Sequence, residues 1–313
     1  MSLVSAILLL SACGGGGATV PPAAIPDSGP YVSEQYTDAQ LSVLTDVVFS
    51  TRPNSGGLQY TSDSTKATEL GSGTLTLKLD IAVPPNATAS HPQPLIVWIH
   101  GGGFSAGGKE DTRAAALTYA RAGYVAATVN YRLTASNMVD TTTRLNAITQ
   151  ATEDVMNAIR FLKVNAALYH IDASRIATIG SSAGGGISLI NAIEFDTLLN
   201  TVSDYTPSSS RVSAAISTGA TLIDSTANTE SLLTYHADDS PVMLFHASPT
   251  DSVTGATWSG NVLPTRDLIN ASGNSCTLAA QADMTHVVDL SLGSVWWPVL
   301  KPFLWERLRL GAL

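Results

Sequence analysis

The chain has 313 residues and a formal net charge of −9 at pH 7, with no dense Lys/Arg cluster. A nucleic-acid partner is excluded on this ground, because binding phosphate requires a positive footprint. Charged residues make up 13% and apolar residues 44%; Ser, Thr, Ala and Gly replace the missing charge, which suits an exported protein with a neutral polar surface and a substantial core.

Residues 3–10 form a short apolar stretch. It is too short to span a bilayer core of ~30 Å and reads as the end of a secretory signal peptide. The residues that follow, Leu10-Ser11-Ala12-Cys13, resemble the bacterial lipobox, in which the cysteine is lipidated and becomes the mature N-terminus. That resemblance implies export to the cell envelope and contact with the membrane only through a lipid anchor at Cys13. Met1-Ser2 lacks the Lys or Arg usual ahead of such a stretch. With Cys13 lipidated, Cys276 is left unpaired, as a small buried apolar residue. Residues 14–30 are rich in Gly and Pro and have no apolar period. The expected organisation is a signal segment over 1–13, a flexible tether over 14–35 and one folded domain over 36–313.

Within that domain, strand-like and helix-like stretches alternate. Residues 45–51 and Thr74–Val83 read as strands, the second carrying Leu75, Leu77, Leu79 and Ile81 at period two. Residues 94–100 are a near-continuous apolar run, as in a strand buried on both faces, and lead into His100-Gly101-Gly102-Gly103. An Ala-rich helix is expected over 109–122 and a strand over 124–131. Residues 144–165 read as a long amphipathic helix with Ile148, Val155, Ile159 and Leu162 near one face. A strand over 176–179 runs into Gly180-Ser181-Ser182-Ala183-Gly184, and a helix over 183–195 follows. Strands are expected over 212–217, 241–246 and Cys276–Gln281, and a helix with three tryptophans over 292–310. The polar, Ser/Thr-rich residues 219–240 read either as a lid or as a surface loop. This alternation predicts an α/β fold, a mostly parallel sheet with helices on both faces and functional residues at the carboxyl ends of strands.

The Gly-x-Ser-x-Gly stretch, placed between a strand and a helix, is the pattern of a nucleophile elbow. Its serine sits on a sharp, strained turn, and larger residues at the flanking glycines would collide with the neighbouring strand and helix. Ser182 is therefore the candidate nucleophile. A serine hydroxyl is too weakly acidic to attack an ester unaided and needs a base held by an acid. Of the six histidines, His286 follows the last predicted strand and fits the chain order serine, acid, histidine. His236 is the runner-up; His91 and His170 lie in loops ahead of the elbow, and His246 lies within a strand as a core residue. Asp251 follows the penultimate strand and is the candidate acid, with Asp224 its strongest rival and Asp238, Asp239, Asp267 and Asp283 behind it. The glycines after His100 let backbone N–H groups approach a substrate carbonyl, so Gly102, Gly103 and Ala183 are the candidate oxyanion donors.

Taken together, these residues resemble the α/β-hydrolase superfamily, and within it the carboxylesterases with an HGGG motif, of the hormone-sensitive-lipase-like and feruloyl-esterase-like bacterial kinds. The resemblance rests on 94–104, on Val129-Asn-Tyr-Arg-Leu133, on Glu153-Asp154 through Arg160-Phe-Leu162, and on Ile171-Asp172 through Gly185. Ser181 stands where the hormone-sensitive-lipase-like branch carries Asp, and the stretch before Asp251 lacks the family's usual glycine. The resemblance implies an α/β-hydrolase fold and hydrolysis of short- to medium-chain esters of small molecules through an acyl-enzyme, with no metal or organic cofactor. A lipase or polyester hydrolase of the same fold, with Trp258, Trp296 and Trp297 at the site or in the core, is an alternative. So is a catalytically inactive binding protein; a peptidase is disfavoured, because the chain leaves no room for a further domain.

Overall fold

The computed structural model describes residues 24–53, 60–61, 74–134, 141–196, 203–223, 229–283 and 285–313. The expected signal segment with Cys13 lies outside the described residues, and so does Asp224. In chain order the strands are β1 (Ser42–Pro53), β2 (Tyr60–Thr61), β3 (Thr74–Val83), β4 (Gln93–Ile99), β5 (Val125–Val129), β6 (Leu133–Thr134), β7 (Ile171–Ser181), β8 (Ala214–Thr218), β9 (Val242–Ala247) and β10 (Cys276–Gln281). The helices are α1 (Glu110–Arg121), α2 (Thr141–Val164), α3 (Ala166–Tyr169), α4 (Ala183–Glu194), α5 (Leu263–Ala271) and α6 (Trp297–Arg307).

Eight strands form one sheet in the order β1-β3-β5-β4-β7-β8-β9-β10. β1 and β3, and β3 and β5, pair antiparallel; every other neighbouring pair is parallel. The short β2 and β6 pair separately. This is the mostly parallel sheet expected from the alternation, in the α/β-hydrolase arrangement that the resemblance implied.

The pleat explains how one sheet serves two cores. Along β4, Leu95, Val97 and Ile99 join a cluster with α2 and α4, while Ile96 and Trp98 join a second cluster with α1 and α6. A strand flanked in this way must be apolar at every position, and all seven residues of β4 are buried. From β4 the chain first moves outward to β5 and then crosses back to β7 on the other side of β4. The connections leaving β4 and β7 therefore diverge to opposite faces, which opens a crevice at their carboxyl ends.

Two expectations shift, and the open stretch 219–240 gains contacts. The tether expected through residue 35 is packed from Tyr31 onward. Tyr31 and Val32 are buried in the second core, and the N–H groups of Tyr31 and Gln35 donate to Ala122 O and Arg121 O at 2.7 Å each. The last large helix starts at Trp297 rather than near 292, and α5 lies in the stretch ahead of Cys276. In the polar stretch 219–240, the described residues 219–223 and 229–240 are tied to the domain: Thr265 Oγ1 accepts from Leu222 N and Ile223 N, and Thr229 Oγ1 donates to Leu222 O.

Candidate active site

Ser182 stands between β7 and α4 with φ 52° and ψ −120°. A non-glycine residue in this region is strained by roughly 1–3 kcal/mol, and the neighbouring packing holds it there. A Cβ at Gly180 would lie 2.0 Å from Gly184 O, and one at Gly184 would lie 2.2 Å from Ile99 O. The elbow thus fits only because both flanking residues lack side chains, and it packs directly on the carboxyl end of β4. Ser182 N donates to Thr218 O at 2.8 Å, which ties the elbow to the end of β8.

The predicted partners converge on this serine. His286 Nε2 lies 2.8 Å from Ser182 Oγ, and His286 Nδ1 lies 2.7 Å from Asp251 Oδ2. Since a carboxylate oxygen only accepts, Nδ1 carries the proton and Nε2 faces the hydroxyl as acceptor. The other oxygen of Asp251 accepts from Val253 N and Thr254 N, both at 2.8 Å. Asp251 is 1% exposed. Burial alone would raise its pKa, but the N–H of Thr254, the ring of His286 and the N–H of Val253 together hold it below the usual carboxylate value. The loop carrying His286 is seated on β8, for Val288 N donates to Thr218 Oγ1 at 2.9 Å, and a Cβ at Gly219 would lie 2.2 Å from His286 O.

The glycine segment after β4 borders the serine. A Cβ at Gly101 would come within 3.1 Å of Ser182 Cβ. Gly102 and Gly103 are exposed and have φ +107° and +59°. Ala183 opens α4, so its N–H belongs to the orphan donors of a helix N-terminus, where the helix dipole favours negative charge. Among the described residues, the N–H groups of Gly102 and Gly103 make no hydrogen bond to the protein. Nucleophile and imidazole thus meet beside a glycine segment with unused N–H groups, an arrangement suited to acyl transfer.

The rival residues lie elsewhere. His236 and His91 are exposed, and His170 stands just before β7, at the end of the sheet opposite Ser182. His246 is buried within β9, and burial pushes its pKa down. Asp239 is buried and accepts from His236 N, while Asp238, Asp267 and Asp283 are exposed. The three tryptophans pack on the cores: Trp297 against Tyr119, Trp296 against Phe245, and Trp258 against the cluster of α2 and α4. Sequence reasoning assigned no role to Asn130, Tyr131 or Arg132. Tyr131 Oη lies 2.9 Å from His100 O and 3.1 Å from Gly101 O, and Asn130 Oδ1 accepts from Lys109 N at 2.7 Å. The signal available for them was the polar triplet placed directly after a buried strand. Among the described residues, no cluster of His, Cys, Asp and Glu has a geometry that would hold a metal ion.

The family model BD-FAE matches residues 79–254. Among curated proteins, carboxylesterase 3B of Mus musculus is 33% identical over 111 residues, covering 36% of this chain and 19% of that protein. Carboxylesterase NlhH of Mycobacterium tuberculosis is 35% identical over 100 residues, covering 32% of this chain and 28% of that protein. The match thus spans about a fifth to a quarter of the length of these relatives. Among solved structures, Thermogutta terrifontis esterase 2 phosphorylated by paraoxon superposes with a TM-score of 0.61 at 20% identity, over 85% of this chain and 94% of that one. Its native form gives 0.60 at 21% identity, over 80% and 92%. The structural likeness shows that the fold is shared.

Proposed function

The chain belongs to the BD-FAE family, and from that premise we propose that it is a serine carboxylesterase acting on short- to medium-chain esters of small molecules through an acyl-enzyme. The observation that carries the proposal is the unbroken series from Asp251 Oδ2 through His286 to Ser182 Oγ, with contacts of 2.7 and 2.8 Å. Ser182 Oγ attacks the acyl carbon while its proton passes to His286 Nε2. Asp251 holds the Nδ1 proton and stabilises the imidazolium that forms. The carbonyl oxygen becomes an oxyanion facing the N–H groups of Gly102, Gly103 and Ala183. His286 then gives its proton to the leaving alkoxide oxygen, and a water activated by the same imidazole releases the acid. The carboxylesterases and esterase named above, related in sequence or fold, support this reaction class. The same geometry speaks against an inactive binding protein, which has no need of an aligned nucleophile.

Ser182→Ala is expected to lower p-nitrophenyl acetate turnover by several orders of magnitude while leaving thermal unfolding nearly unchanged. A fluorophosphonate should label the wild-type chain at Ser182 and nowhere else. Near-wild-type turnover in the variant would reject the assignment, and fastest turnover of palmitoyl esters or a polyester film would move it to a lipase or polyester hydrolase. The Leu-Ser-Ala-Cys13 stretch supports the companion proposal of an exported protein held at the cell envelope by acyl chains on Cys13. No helix among the described residues is long and apolar enough to cross a membrane.

A further inference from the structure

The carbonyl of Gly101 and the N–H of Gly102 belong to one planar trans peptide, in which the two groups point in opposite directions. Whatever holds the Gly101 oxygen therefore aims the Gly102 N–H. Two side chains hold it: Tyr131 Oη donates at 3.1 Å and His100 Nδ1 at 2.7 Å. Tyr131 Oη is also 2.9 Å from His100 O, so its one proton is shared between consecutive carbonyls. The two rings stack with centroids 4.2 Å apart and planes 9° from parallel, and both residues are wholly buried. Burial pushes the Tyr131 phenol above its usual pKa, which keeps it a donor across the working pH range.

The rest of the loop is pinned by the same logic. Gly102 O accepts from Ser105 N and Ala106 N at 3.0 Å each, which sets the direction of the Gly103 N–H. Tyr131 is fixed from both sides. Asn130 before it grips Lys109, at the far end of the glycine loop, and Arg132 after it donates from N and Nε to Asp154 Oδ2 at 2.8 Å each.

We propose that Tyr131 is the positioning residue of the oxyanion site: its hydroxyl locks the Gly101–Gly102 peptide plane, so that the Gly102 N–H is aligned before the tetrahedral oxygen forms. This inference rests on the esterase reading above and deepens it, because it names the side chain that preorganises a backbone donor.

The test compares an oxoester with its thionoester in wild type and in Tyr131→Phe, which keeps the stacked ring and removes the donor. A thiocarbonyl sulfur accepts N–H weakly, so the thionoester draws little on these donors. Tyr131→Phe is expected to lower kcat for the oxoester about tenfold with KM within about twofold, and to slow the thionoester much less, so the oxoester preference contracts. Equal slowing of both substrates, or slowing of neither, would overturn the proposal. If Tyr131→Phe does not accumulate folded, His100→Phe removes the other donor to the same oxygen and must contract the preference in the same direction. A wild-type chain that neither hydrolyses esters nor reacts with fluorophosphonate would instead indict the esterase reading, and the Tyr131 assignment would fall with it.

Discussion

Asp251 has a lowered pKa although burial by itself would raise it. The carboxylate is held by the N–H groups of two residues that follow it, Val253 and Thr254. Its pKa is depressed in the fold, so its contribution to stability is present above the unfolded value and disappears as pH falls through the lower folded value. Asp251→Asn should therefore lower the midpoint of thermal unfolding at pH 7, and the gap from wild type should close below about pH 4. Its kcat should drop by roughly 10³–10⁴, since an amide can stabilise the wrong tautomer of His286. A gap that persists in acid, or turnover within tenfold of wild type, contradicts this account. The same scale explains why His246 was rightly set aside as a core residue: it is buried within a strand and shifted toward the neutral form.

The working parts at the level of elements are the segments leaving β4, β5, β7, β8, β9 and β10, which all end on one side of the sheet. Their mutual fit depends on buried charge as well as on apolar packing. Asp154 on α2 is fully buried, receives two bonds from Arg132 and lies 3.6 Å from Arg52, which also pairs with Asp204 at 2.9 Å. Removing one member of such a group leaves buried guanidinium charge undercompensated, and Asp154→Ala is expected to destabilise the fold by about 3–5 kcal/mol in chemical denaturation. Because Arg132 adjoins Tyr131, turnover should also fall in the protein that remains folded. A variant as stable as wild type would show that this cluster is not structural. Apolar runs revealed the central strands, whereas α5 was not picked out because its nine residues, Leu263–Ala271, are too short a stretch for a helical period to stand out and no side chain caps its start.

At the scale of the whole molecule, the two ends of the parallel strands meet different parts of the chain. Tyr31 meets Tyr124, just ahead of β5, with ring centroids 5.1 Å apart, and hydrogen-bonds to Gln93 at the start of β4. The N-terminal segment therefore joins the domain at the amino ends of the parallel strands, while Ser182 stands at their carboxyl ends. An anchor at Cys13 would then be attached through the end of the domain remote from Ser182. Mass spectrometry of the chain produced in bacteria should find acyl groups on Cys13. The membrane-held form should hydrolyse a water-soluble ester within about twofold of a soluble form beginning at residue 24, because the anchor binds without entering the site. A freely secreted chain with an unmodified Cys13 refutes the anchor, and strong inhibition on the membrane refutes an attachment remote from the site.

The elbow at Ser182 and the glycine turn after β4 were legible in the sequence because their constraints are local. A strained turn admits only small flanking residues, and a doubly covered strand must be apolar throughout. The limits of Thr74–Val83 and Cys276–Gln281 were readable for the same reason. Chain order nominated Asp251 and His286 but could not bring them together. That depended on β8, β9 and β10 lying side by side beyond β7, so that three separate loops end within hydrogen-bonding distance of one another. The packing of Tyr31 and Val32 and the clamp of Tyr131 on Gly101 were likewise decided only in three dimensions. Each joins residues far apart in the chain, and no local pattern records the neighbour that a side chain will meet.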